Sequence, residues 1–117
     1  MHLNELCRMQ IEDDERRGFA VRFATEKETH AQLIKDLVGL FSEMAEFSDV
    51  AKKIGLRLDH PQYAGPTLAE SRENLGSELA DIFIYAIRLS AILEIDLESA
   101  LIKKIKFNKN RYEYLSR

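Results

Sequence analysis

The stretch HAQLIKDLVGLFSEMAEFSDVAKKIG, residues 30–55, decides the fold. Within it Leu33, Leu37, Leu40, Met44, Phe47, Ala51 and Ile54 recur at steps that alternate between four and three, the period of one helical face. A second row, Ile34, Val38, Phe41 and Ala45, widens the stripe, and Gly55 after Lys52 and Lys53 marks a C-terminal end. On the C-terminal side, LRLDHPQYAGPTLAES (56–71) holds both prolines and no sustained period, so it reads as a loop, long enough to be functional or mobile. The heptad pattern returns over 73–93 with Leu75, Leu79, Ile82, Ala86, Leu89 and Leu93, together with the unbroken run IFIYAI at 82–87. A helix of that kind needs cover on more than one side, which implies burial against another subunit. Asp96 is a good N-cap for a fourth helix over 97–112. Towards the N-terminus, LNELCRMQIEDDERR (3–17) predicts a short helix ended by Gly18, followed by an irregular connection, since no second strand exists to pair with it.

The expected fold is therefore all-α: one domain over 1–117, a bundle of about four helices completed by oligomerisation. Composition agrees. Five Gly, two Pro and no Trp offer too little turn punctuation for a many-stranded sandwich or barrel. Cys7 is alone, and His2, His30 and His60 lie far apart, which excludes a disulfide framework and a Cys/His zinc cluster and gives little support to hydrolase triads. No run approaches the roughly 18 consecutive apolar residues of a membrane span, and the N-terminus lacks a signal-peptide core, so the expectation is a cytoplasmic protein with no membrane partner.

Two acidic pairs interrupt otherwise apolar stripes: Glu43-x-x-Glu46 and Glu78-x-x-Asp81. A spacing of three puts both carboxylates of a pair on one face, a turn apart, and two antiparallel helices can bring the pairs together. Asp81 directly precedes IFIYAI, where an unpaired carboxylate is costly to bury. Four converging carboxylates form a hard, all-oxygen site suited to Mg²⁺, with Mn²⁺ as a substitute. A di-iron bundle would need Glu-x-x-His, which has no match here. The plainer alternative is that these acids serve helix dipoles or sit half-solvated at a stripe edge. The chain carries a net −3, but residues 103–117 hold Lys103, Lys104, Lys106, Lys109, Arg111 and Arg117 against Glu113 alone, giving +5 there and −8 over 1–102. Such segregation suits a polyphosphate bridged between a carboxylate-held metal and a basic segment, although helix-dipole compensation accounts for the basic cluster equally well. An acidic chain with one basic helix end is a poor nucleic-acid binder.

These residues resemble the all-α nucleoside triphosphate pyrophosphohydrolases of the MazG-like group. The resemblance lies in EMAE at 43–46, ELAD at 78–81, the flanks SEMAEFSD and ELADIFIYAIRLSAILEIDLESAL, and KIKFNKNRY near the C-terminus. It covers roughly residues 30–112, with a weaker likeness of the first helix and the RRGF segment to dCTP-pyrophosphatase-like members. It implies that Glu43, Glu46, Glu78 and Asp81 bind Mg²⁺, and that Lys104, Asn108, Arg111 and Tyr112 contact phosphate or sugar, across a subunit boundary in some arrangements. The implied reaction is hydrolysis of a (deoxy)nucleoside triphosphate to monophosphate and pyrophosphate, in nucleotide-pool housecleaning, by a homodimer or a homotetramer built as a dimer of dimers. Glu46 is the candidate to orient or deprotonate the attacking water. The 31 residues between Glu46 and Glu78 exceed the usual family spacing, and the Trp on which some relatives stack the base is absent, leaving Phe19, Phe23 or Phe47 as substitutes. Two rivals stand beside this reading: a non-catalytic helical interaction module, and phosphoribosyl-ATP pyrophosphohydrolase within the same superfamily.

Overall fold

A computed structural model describes residues 1–116 and contains four α-helices: α1 (Leu3–Arg16), α2 (Glu26–Asp59), α3 (Leu68–Ile92) and α4 (Leu97–Arg111), followed by a 3-10 turn (Glu113–Leu115). Among the described residues there is no strand, and no helix is long and apolar enough to cross a membrane. The fold is all-α, as the periodicity of 30–55 predicts.

Helix α2 is longer than its apolar row suggests at both ends. It starts at a cap: the Thr25 hydroxyl accepts the Glu28 N–H at 3.2 Å and donates to the Glu28 carboxylate at 3.1 Å. It also runs through Gly55 for four more residues, because a mid-helix glycine lowers helical stability by about 1 kcal/mol without breaking any hydrogen bond. The stop comes from proline. His60, preceding Pro61, is extended (φ −133°, ψ 100°), as the steric demand of a following proline requires. Helix α3 likewise begins earlier than expected, directly after Pro66, with the Thr67 hydroxyl accepting the Glu70 N–H at 3.1 Å. The expected long loop over 56–71 is thus a short connection over 60–67, tied down by Arg57 Nε donating to the Pro66 carbonyl at 2.9 Å.

Helices α2 and α3 form an antiparallel pair that dominates the packing. Its register shows in the residues that meet across it: Asp36 with Arg88, the backbone of Gly39 with the Tyr85 ring, and Glu43 with Glu78. At Gly39 a Cβ would overlap the Tyr85 ring, so this glycine is a notch into which the ring fits. Helix α1 packs on α3 and α4. It ends in a Schellman motif, with Gly18 at φ +85° and the Phe19 N–H reaching back to the Asp14 carbonyl at 2.8 Å. As the sequence predicts, Asp96 caps α4, accepting the Ser99 N–H at 3.0 Å.

Among the described residues the apolar core is small, with Val21, Ile54, Ile87 and Ile92 its only buried hydrophobic residues, and nothing in α4 is buried. The radius of gyration is 18.3 Å, against about 13.4 Å for a compact domain of this length. The accessible surface is 9074 Å², against about 6,500 Å² for a compact monomer of this mass. Ile34, Val38 and Phe41 on α2, Leu79 and Phe83 on α3, and Leu101, Ile102 and Ile105 on α4 are all exposed.

Candidate metal centre

Glu43 and Glu46 stand one turn apart on α2, and Glu78 faces them from α3. One carboxylate oxygen from each comes within 4.8 Å of the other two; among the described residues this is the one such cluster of potential ligands. Glu43 and Glu78 are half-buried and Glu46 is exposed, so the group lies in the wall of the helix pair with one open side. The structure brings together three of the four carboxylates singled out in the sequence. Asp81, half-buried one turn further along α3, lies outside that close group.

The cluster's electrostatics are those of a site short of positive charge. One oxygen of Glu43 and one of Glu78 are buried with no hydrogen-bond partner, a costly arrangement for carboxylates unless a cation or proton meets them. The Glu78 carboxyl is pushed up to about 7, chiefly by the close approach of the Glu43 carboxylate, then through its removal from water and its proximity to Glu46. An all-oxygen donor set with orphaned carboxylate oxygens fits a hard divalent cation such as Mg²⁺ or Mn²⁺.

The basic residues lie elsewhere within the chain. Helix α4 packs chiefly against α1, and Lys104, Arg111 and Tyr112 are exposed, with Asn108 half-buried. The Lys104 ammonium sits 5.0 Å from the centre of the Phe107 ring and Arg111 sits 5.0 Å from that of Tyr112. No ion pair among the described residues links α4 to the acidic cluster. Arg117, counted in the basic segment, lies outside the described residues.

Phe19 is 58% exposed at the mouth of a cavity of about 310 Å³, with Phe23 on the wall and Gln32, Lys35, Asp36 and Arg88 around it. Asp36 precedes Glu43 by seven residues and Arg88 follows Asp81 by seven, so this cavity lies about 10 Å along the helix pair from the acidic cluster. Phe47, the third candidate platform, is half-buried on α2 next to Glu46.

Sequence reasoning missed the buried ionic network at that cavity. Arg88 is only 7% exposed, yet its Nε donates to both Asp36 oxygens at 3.2 and 3.1 Å. Its Nη1 donates to Asp14 at 3.0 Å and to the Phe19 carbonyl at 3.1 Å, and its Nη2 to the Ala20 carbonyl at 3.5 Å. Arg88, between Ile84 and Ile92 on one face of α3, interrupts an apolar row, a signal for a buried charge but not for its partners.

Comparison of the chain with family models, with curated proteins and with solved structures finds no match.

Proposed function

We propose that this chain is a Mg²⁺-dependent nucleoside triphosphate pyrophosphohydrolase, releasing pyrophosphate and a monophosphate from a (deoxy)nucleoside triphosphate. The observation that carries the reading is the cluster of Glu43, Glu46 and Glu78, in which two buried carboxylate oxygens lack any protein partner. Glu43 and Glu78 would hold the cation, with Asp81 completing its shell after a side-chain rotation on the same face of α3. Mg²⁺ there would supply charge neutralisation for the phosphate oxygens and acidification of a coordinated water. Glu46, the most exposed of the three, would orient an attacking water and take its proton. Phe19, beside a cavity two helical turns away, would receive the base while the phosphates lie at the carboxylates.

The same proposal places Lys104, Asn108, Arg111 and Tyr112 on the phosphates of a neighbouring copy's site. Two facts support this. Within its own chain α4 has no buried residue, and the chain carries about 2,500 Å² more surface than a compact monomer of its mass. A homodimer or homotetramer would cover the apolar rows of α2, α3 and α4 and bring the basic helix to an acidic centre. A purely structural interaction module also accounts for the exposed rows, but it leaves the orphaned carboxylate oxygens unexplained.

The test is a panel of nucleotides, phosphoribosyl-ATP included, incubated with Mg²⁺ and followed by phosphorus NMR. The reading predicts monophosphate and pyrophosphate from at least one of them. Diphosphate and orthophosphate, or no turnover of any, would contradict it.

A further inference from the structure

The Arg88 network ties the connection after α1 to helices α1, α2 and α3 through one buried side chain. A guanidinium has five N–H donors and one charge; Asp36 and Asp14 neutralise it from α2 and α1 and take its Nε–H and one Nη1–H. Two of the three remaining donors are spent on the backbone of a connection: the second Nη1–H on the Phe19 carbonyl and one Nη2–H on the Ala20 carbonyl. The Phe19 N–H is fixed as well, through its bond to the Asp14 carbonyl at 2.8 Å. Both peptide groups flanking the Phe19 side chain are therefore held, one by the end of α1 and one by a buried side chain of α3. The ring itself is exposed and packs into no core. An exposed ring on a backbone pinned from both sides is arranged to present a rigid flat face.

What it presents that face to is the cavity of about 310 Å³. Its lining includes the buried Asp36–Arg88 pair, a second ring in Phe23, and the exposed Lys35. The Gln32 amide donates to Asp36 at 3.4 Å, leaving the rest of its polar capacity to a guest. Two aromatic rings beside the Gln32 amide and the charged Lys35, Asp36 and Arg88 suit a planar heterocycle with polar edge groups.

We propose that Arg88 is a positioning residue for nucleoside recognition: from α3 it holds the 18–20 backbone so that the Phe19 ring stacks on the base of a nucleotide whose phosphates lie at Glu43, Glu46 and Glu78. This rests on the function proposed above. Arg88 touches no substrate and acts through Phe19. Lysine cannot replace it, since a single ammonium on a flexible stem cannot serve two carboxylates and two carbonyls together.

The test is a double-mutant cycle on steady-state pyrophosphate release in the full-length protein with Mg²⁺. Phe19→Ala should raise KM by about tenfold with kcat changed little, as loss of one stacked base predicts. Arg88→Lys should do the same while keeping the rise in melting temperature that Mg²⁺ gives the wild type. The double variant should be no worse than Phe19→Ala alone, because Arg88 acts through that ring. KM effects that multiply, or an Arg88→Lys variant with unchanged KM, would overturn the inference and leave the hydrolase reading standing. Wild type inactive on every nucleotide would overturn both. Should Arg88→Lys fail to fold, Phe19→Trp supplies an independent reading, since the chain has no other tryptophan. Its emission must change on saturation with the substrate nucleotide, and an unchanged spectrum would overturn the inference.

Discussion

Replacing Glu78 by glutamine removes a charge while keeping the shape of the side chain, so it separates the energetic cost of the acidic cluster from its use. Without metal, Glu43, Glu46 and Glu78 repel one another, and Glu78→Gln should raise the melting temperature of the metal-free protein. The same change should abolish the stabilisation that millimolar Mg²⁺ gives the wild type. Differential scanning calorimetry with EDTA and with Mg²⁺ reads both effects. Proton linkage gives a second prediction. Between its ordinary value of 4.5 and about 7, Glu78 keeps in the folded chain a proton that the unfolded chain has released. Stability of the metal-free protein should therefore fall as pH rises through that window, and the Mg²⁺-induced rise should be larger at pH 7.5 than at pH 5. A melting temperature flat across that range, with and without Mg²⁺, would contradict the arrangement.

Two glycines of α2 make opposite predictions at the scale of the element. At Gly55 a Cβ meets nothing, so Gly55→Ala should stabilise the helix by about 1 kcal/mol through propensity alone. At Gly39 a Cβ would collide with the Tyr85 ring, and that overlap costs more than the propensity gain, so Gly39→Ala should destabilise by about 1 kcal/mol. Urea titration of the two variants checks the sign. The helices themselves were legible because apolar rows with a three-four period survive without knowledge of neighbours, as Leu33 to Ile54 does. Their ends were less so. Gly55 looked like a stop but has no stopping power inside a hydrogen-bonded helix, whereas Thr25, Pro61 and Thr67 set the real boundaries through side-chain caps and proline sterics. The spacing of Glu43 and Glu46 on one helix and Glu78 on the next named three members of the cluster, since acids a turn apart share a face, but the register that leaves Asp81 outside was not readable from spacing. The Asp14–Arg88–Asp36 network was not legible, because nothing local says that charges 52 and 74 residues apart will meet.

For the whole molecule, the exposed rows on α2, α3 and α4 and a surface well above that of a compact monomer set an expectation for assembly. Analytical ultracentrifugation should show a dimer or tetramer at micromolar concentration, and replacing Leu101 and Ile105 with Asp should dissociate it while each chain keeps most of its helix by circular dichroism. A folded wild-type monomer would refute this and, with it, delivery of the α4 residues to a neighbour's site. The central claim, that the carboxylates of α2 and α3 are a catalytic metal centre, is tested most directly by Mg²⁺-dependent pyrophosphate release from deoxynucleoside triphosphates by wild type and Glu78→Gln side by side. The account predicts turnover by wild type that EDTA abolishes and Mn²⁺ restores, and a loss of at least about a hundredfold in the Glu78→Gln protein. Equal rates in the two proteins, or release that persists in EDTA, would contradict it.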